Sequence, residues 1–288
     1  MRQSTGFSLV EMLIALMIAL ALGTMMFQLF HQNERVIRDQ TLIMEMQQTA
    51  RVVASQIADE VRMAGQGVPL YASRFDSTAS EGVAVILASS TANRVDFRAG
   101  LSNVATAVTT PAPMDFTIGV PKTVSVANGS AFSIGKFVYV SGDSLWLRGA
   151  ITTASSTALT IIPRETDVTA SIIHFTARPS ISLDEAVSIY LSGGSVRRAT
   201  ASDMTNPANP VWSAANEIGK NFTSLTLTYY DPGGIRRVPS SLFDRVAIAR
   251  VDIQLTVQAA SPLSNGTTPA YSLALRTIPR NVRIPSGN

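Results

Sequence analysis

Cysteine is absent from the 288-residue chain, and its absence excludes several kinds of chemistry. Without a thiol there is no disulfide bond, no thiolate metal site and no cysteine nucleophile. Export from the cytoplasm is not excluded, because a chain of this length can bury enough apolar surface to fold without covalent links. The 46% of residues that are hydrophobic are enough for such a core.

Charged residues are also scarce. They make up 15% of the chain, whereas an average soluble domain has about 25%. The net charge is +3, and Arg197–Arg198 and Arg236–Arg237 are the only adjacent basic pairs. Because a basic stripe with interleaved aromatics is missing, we expect no nucleic-acid partner. The acidic pairs Asp59–Glu60 and Asp184–Glu185 are expected on solvated faces.

Motifs for catalysis or cofactor binding are missing as well. The two histidines, His31 and His174, lie far apart and in no metal-ligand spacing. No phosphate-binding, dinucleotide-binding or serine-hydrolase motif occurs. His174 lies in an apolar run, which favours a strand histidine over a catalytic base. We therefore expect no enzyme, no catalytic residue, no metal site and no cofactor.

The longest hydrophobic run is at the N-terminus, where residues 7–30 contain Glu11 as their only charged side chain. A helix of that length measures about 36 Å, which is enough to cross a hydrocarbon core of about 30 Å. Arg2 precedes the run and favours a cytoplasmic N-terminus, although Arg35 and Arg38 beyond it weaken the asymmetry. The run is too long for a conventional cleaved secretory signal, so an uncleaved signal anchor is the simplest interpretation.

Glu11 does not fit a simple anchor. An ionised carboxylate inside the membrane costs about 3 kcal/mol or more, and such a group usually has a partner. The segment contains none, so the partner is either the N-terminal amine or a group on another chain. The alternative is a protonated Glu11 that reaches toward the lipid headgroups.

The residues around Glu11, Gly6-Phe7-Ser8-Leu9-Val10-Glu11, resemble the prepilin cleavage and methylation motif of type IV pilins and type II secretion pseudopilins. The family pattern is a short basic leader ending in Gly, then Phe, three mostly apolar residues, and Glu at the fifth mature position. This sequence matches at each of those positions. The resemblance implies a leader of residues 1–6, prepilin peptidase cleavage between Gly6 and Phe7, and N-methylation of Phe7. It also implies that Glu11 neutralises the N-terminal amine of a neighbouring subunit during assembly.

Partners and location follow from the same resemblance. The implied partners are other minor and major pilins, the prepilin peptidase and the inner-membrane assembly platform. The implied location is the bacterial inner membrane, with a single-pass helix and the head outside the cytoplasm. The protein would later move into a pilus or pseudopilus.

Beyond Phe30 the pattern becomes amphipathic. Apolar residues recur at steps of mostly three and four, at Val36, Ile43, Met46, Ala50, Val53, Ile57, Val61 and Ala64. Gly65, Gly67 and Pro69 form a stop signal. We expect one helix of about 55 to 60 residues, with a transmembrane half at 7–30 and an amphipathic half at 31–66. The apolar stripe is expected to dock on a globular head rather than to form a free coiled coil.

The rest of the chain is typical of short strands between turns. The predicted fold class is α+β: a long N-terminal helix packed on an antiparallel β head, with an inserted β subdomain. We place the inserted β-rich subdomain at 83–176 and the antiparallel pilin head at 181–284. Val83–Leu87 and Ala247–Gln258 are predicted strands, whereas 101–121 is expected to be a long surface loop.

Two further segments resemble a narrower group. The end of the long helix, 58–67, resembles PilW-like minor pilins and the J-type pseudopilin of type II secretion, and the C-terminal strand, 275–281, resembles that of PilW-like proteins. The leading interpretation is a minor pilin that acts as a structural or priming subunit of a type IV pilus, with a place at the tip as one option. The alternatives are the J-type pseudopilin and a signal-anchored periplasmic binding module.

Overall fold

A computed structural model describes residues 9–69, 80–166 and 171–279. Its first element is a single helix, α1, at Leu9–Arg62, whose 54 residues span about 81 Å. Gly65 and Gly67 follow with φ of 83° and 80°, a left-handed conformation that glycine adopts without strain and that commonly ends helices. The predicted long helix and its stop signal are both confirmed.

The two ends of α1 have different surroundings. Residues 9–38 are exposed throughout. Further along, one face is buried at steps of three and four, by Met46, Ala50, Val53, Ala54, Ile57, Ala58 and Val61. This face packs against β-sheets, so the amphipathic half is docked on a head, as the stripe predicted.

Two antiparallel sheets form the part of the head that contacts α1. The first runs β1–β10–β11–β12, with β13 also paired to β11, and the second runs β15–β14–β16–β17. Their strands are β1 (Arg94–Arg98), β10 (Ala186–Ser192), β11 (Ser195–Asp203), β12 (Val211–Trp212), β13 (Asn216–Lys220), β14 (Phe222–Tyr230), β15 (Arg236–Arg237), β16 (Arg250–Gln258) and β17 (Ala270–Thr277). A short helix, α2 (Leu242–Ala247), precedes β16. Apolar side chains of both sheets and of α1 share one core.

A third sheet has a core of its own. Six strands run in the order β2–β9–β5–β6–β7–β4, and a bridge between Val108 and Val126 brings its two edges together into a curled half-barrel. The strands are β2 (Ala105–Ala107), β4 (Lys122–Ser125), β5 (Phe137–Gly142), β6 (Leu145–Ala154), β7 (Ala158–Thr166) and β9 (Ser180–Leu183). A two-stranded ribbon, β3 (Met114–Thr117) with β8 (Ile172–Phe175), contributes side chains to the same core. The α+β class is therefore confirmed.

Some local predictions are wrong. The segment Val83–Leu87 is a one-turn 3₁₀ helix at Glu81–Val83 followed by a single bridge from Ile86 to Phe97, rather than a strand. The expected loop at 101–121 contains β2 and β3. Each of these strands buries only one or two side chains, so tertiary packing and not an apolar run determines them. The predicted strand at 247–258 begins later, because Leu242–Ala247 is helical.

The proposed domain ranges of 83–176 and 181–284 are not separate in the structure, because each contains a strand that pairs with a strand of the other. β1 lies within the first range but pairs with β10, within the second. β9, of which three residues lie within the second range, pairs with β5 in the half-barrel. The half-barrel is thus tied to the head by backbone pairing on both sides of its sequence.

Candidate assembly segment

The exposed half of α1 is the candidate functional segment. One 18-residue window has a mean hydropathy of 2.3, and none of that window is buried. Within the described ranges it is the one helix long and apolar enough to cross a membrane. Its large apolar side chains are about half to three-quarters exposed, for example Leu9 at 77% and Phe30 at 72%. An apolar surface of this size requires lipid or other apolar helices around it.

Polar side chains on this segment differ in how they are satisfied. Thr24 donates its hydroxyl to the carbonyls of Leu20 and Ala21, at 2.7 and 3.0 Å, so its polarity is neutralised within the helix. Glu11 lies in the first turn and is exposed. Its carboxylate makes no hydrogen bond or ion pair with any described residue. The helix dipole favours a negative charge in that turn.

Gly6 and Phe7 lie outside the described residues, which begin at Leu9. Cleavage after Gly6, methylation of Phe7 and pairing through Glu11 therefore stay predictions.

Two polar contacts fix the docked half of α1 to the head. Asp39 accepts the backbone N–H of Ser264 at 3.0 Å and also its hydroxyl. The two carboxylate oxygens of Glu60 accept hydrogen bonds from Nε of Arg198, at 2.7 and 2.8 Å. Asp39 and Glu60 are 21 positions apart, which is about 31 Å along the helix. The sequence did not reveal these contacts, because their partners lie 225 and 138 residues away.

A buried polar junction, formed by Arg98, Tyr139, Arg148 and Asp184, connects the head to the half-barrel. The side chains of both arginines and of Asp184 are fully buried. Nε of Arg98 lies 3.0 Å from one Asp184 oxygen, and Nε of Arg148 lies 2.6 Å from the other. Tyr139 also donates to Asp184, at 3.3 Å. The prediction of a solvated Asp184 is wrong, since acids are rarely buried unless paired, and here two arginines pair with it.

The electrostatics of the polar junction are those of a structural site. Burial raises the pKa of Tyr139 above its ordinary value of 10.0, so its hydroxyl remains a donor. Arg98 also donates to the carbonyls of Glu81 and Ala84, at 2.6 and 2.8 Å. The charged groups at the junction are used in mutual contacts. No group of three or more potential metal ligands occurs in the described ranges.

His174 lies on β8, in agreement with the strand prediction. Its Nδ1 is hydrogen-bonded to Asp115 on the neighbouring strand β3, and both side chains are more than half exposed. The pair therefore lies on the surface of the ribbon.

Comparison with known protein families gives a match, and it covers the segment that contains Glu11. The family model of the prokaryotic N-terminal methylation motif matches residues 1–27. No curated protein and no solved structure matches the chain. The matched residues include the predicted cleavage position and Glu11, and they continue into the exposed apolar half of α1. A methylation motif that leads into a long apolar N-terminal helix fits a type IV pilin-like protein.

Proposed function

We propose that this protein is a minor pilin, a structural subunit that primes assembly of a type IV pilus, and that it has no enzymatic role. One observation carries the proposal: Glu11, an exposed acid with no partner among the described residues, lies on a membrane-length helix within the segment that matches the methylation motif. Pairing with the amine of a mature Phe7 on a neighbouring subunit would remove two unpaired charges from an apolar environment. The free energy of that pairing would favour movement from lipid into a bundle of subunits.

The proposal includes a location and a set of partners. The helix is held in the bacterial inner membrane as a single pass, with the head outside the cytoplasm. The prepilin peptidase removes residues 1–6, and the assembly platform then adds the subunit to other minor and major pilins. The resemblance of 58–67 and 275–281 to PilW-like proteins supports the choice of a minor pilin.

A J-type pseudopilin of type II secretion is the second candidate, favoured by the resemblance of residues 58–67. Deletion of the gene separates the two candidates, since a minor pilin is required for surface pili and a pseudopilin for release of secreted enzymes. We expect loss of pili with normal secretion. Normal pili with blocked secretion would assign the protein to the secretion system.

Intact mass and N-terminal sequencing of protein from its native membrane test the processing step shared by both candidates. We expect a chain that begins at N-methylated Phe7. A chain that begins at Met1 would contradict both candidates and would favour a signal-anchored periplasmic module. The matched control is a Gly6→Leu variant, which we expect to remain uncleaved.

A further inference from the structure

β17 lies at the end of its four-stranded sheet, and no described strand pairs with its outer edge. Its eight residues pair with β16 without a register shift. They contain no proline, and Arg276 is their only charged side chain. Long, regular edge strands are templates for pairing with another chain, so proteins usually shorten, bend, charge or cover them.

The backbone groups at this edge can be assigned from the ladder. Beyond β16 and β17, the N–H of Ala259 donates to the carbonyl of Pro269 at 2.9 Å. Along an antiparallel ladder, residue pairs that are hydrogen-bonded to each other alternate with pairs that are not. The residues of β17 bonded to β16 are therefore the odd-numbered ones, such as Leu273 and Leu275, whereas the even-numbered ones direct their N–H and C=O groups outward.

Four residues present these outward groups, namely Ala270, Ser272, Ala274 and Arg276. All four side chains are exposed. Their backbone groups make no hydrogen bond to another described segment. Three of the four have small side chains, so another backbone can approach closely. The donors and acceptors repeat about every 6.8 Å, which is the spacing of an extended strand.

The other sheet edges of the described head are protected. β12 and β15 have two residues each, and β13 contains a bulge. β1 is covered by the segment around Ile86, through bonds from Leu87 to Asp96 and from Arg98 to Val85. The half-barrel joins its own edges through Val108 and Val126, and the strands of the β3–β8 ribbon have four residues each. Within the described residues β17 is the longest open edge.

We propose that the β17 edge pairs with an extended strand of a neighbouring subunit in the filament. This inference depends on the proposed function, because it assumes that the protein joins an assembly. Only an extended backbone offers a row of alternating donors and acceptors at the required spacing, and an edge of this kind gives affinity through main-chain bonds. Since α1 packs against β17, the strand contact and the contact through α1 would form one continuous surface.

Proline substitution at an outward position tests the proposal directly. Ala274→Pro removes an N–H that has no acceptor among the described residues, and proline is tolerated on edge strands with that orientation. Ala274→Thr is the matched control, since it adds similar bulk and keeps the N–H. Ser272→Pro removes the next outward N–H and serves as a second variant. Each protein is produced in the native host, and its amount is compared between the membrane and sheared filaments.

We expect both proline variants to accumulate in the membrane at the wild-type level and to fall at least about tenfold in the filament fraction, as loss of main-chain bonds predicts. The threonine variant should match the wild type. Equal incorporation of the proline variants would overturn the proposal and leave the proposed function intact. Absence of the wild type itself from the filament fraction would overturn both.

Amide hydrogen exchange provides a readout that needs no variant. The amides of Ser272 and Ala274 should exchange quickly in detergent-solubilised protein and at least about tenfold more slowly in filaments, while those of Leu273 and Leu275 are protected in both. Equal exchange of Ser272 and Ala274 in the two states would overturn the strand pairing.

Discussion

At the residue scale, the most informative side chain is Glu11. Its position in an apolar run was enough to predict a functional acid, because the membrane makes an unpaired carboxylate costly. Asp184 shows the opposite case. It resembles any surface acid in sequence, yet its side chain is fully buried between two arginines. The difference is that the environment of Glu11 is local in sequence, whereas that of Asp184 comes from Arg98 and Arg148, which are 86 and 36 residues away.

Replacement of Glu11 tests the assembly mechanism. We expect Glu11→Ala to reduce incorporation into filaments at least about tenfold, because removal of one partner of a buried ion pair costs about 3–5 kcal/mol. The melting temperature of the head should not change, since Glu11 is far from any head contact. The measurement is the ratio of filament-bound to membrane-bound protein, with Ser8→Ala as the control. A Glu11→Ala protein that enters filaments normally would exclude the pairing.

Asp184→Asn should strongly destabilise the head. The change leaves the buried guanidinium of Arg98 without its carboxylate partner and that of Arg148 with Glu165 alone, for which we expect a loss of about 3–5 kcal/mol in the free energy of unfolding. Asp59→Asn is the control, because the Asp59–Arg62 pair is exposed on α1 and such pairs contribute about 1 kcal/mol or less. Thermal unfolding of the full chain in detergent, followed by the fluorescence of the buried Trp146, measures both variants. Similar melting temperatures for the two variants would contradict a structural role of the polar junction.

The stability of the head should depend on pH through the ionisation of Asp231. Its carboxylate accepts the N–H of Ile235 at 2.8 Å and also binds Arg237, and these contacts hold the pKa of Asp231 below its ordinary value of 3.8. A carboxylate with a lowered folded pKa stabilises the protein above the unfolded pKa, and this stability is lost as the pH falls through the folded pKa. Asp231→Asn should therefore lower the melting temperature above about pH 4, and the difference from the wild type should shrink below that pH. A difference that stays constant from pH 7 to pH 3 would show that the charge of Asp231 is not involved.

At the element scale, α1 was the most predictable part of the molecule. Its apolar half, its amphipathic stripe and its glycine stop signal are all local patterns, and each was confirmed. The strands β2 and β3 were not predictable in this way, because they bury too few side chains to leave a periodic signal. The contacts of Asp39 and Glu60 with the head were missed for a related reason. A polar residue on an amphipathic helix shows the same pattern whether it faces water or a distant partner.

The docked face of α1 makes a further prediction. Ala54 is fully buried against the sheets, whereas the adjacent Ser55 is exposed. Ala54→Leu should destabilise the docking of α1 by about 1–3 kcal/mol, since overpacking displaces neighbouring side chains. Ser55→Leu adds a larger apolar side chain to the open face and should leave stability within about 0.5 kcal/mol. Limited proteolysis of α1 in detergent would compare them, and equal cleavage rates would contradict close packing at Ala54.

At the scale of the whole molecule, the sequence predicted a helix on a β head with an inserted β unit, but not how the parts are joined. The half-barrel and the head keep separate apolar cores. Between them lies the polar junction, in which Arg98 of β1 and Arg148 of β6 meet on Asp184. Composition and periodicity locate apolar cores well. They do not identify a charged contact formed by strands that are distant in the chain.

If the start of α1 spans a membrane as proposed, the exposed stretch that follows separates the lipid from the first contact with the head. The apolar run ends at Phe30, and the first described contact of the helix with the head is at Asp39. Nine residues of helix separate these points by about 14 Å, which exceeds the 5–8 Å or so of one headgroup layer. In the proposed orientation the first described contact between α1 and the head therefore lies beyond the headgroup layer rather than within it. Extraction of the subunit from the bilayer would then separate α1 from lipid without disturbing the contact between Asp39 and Ser264.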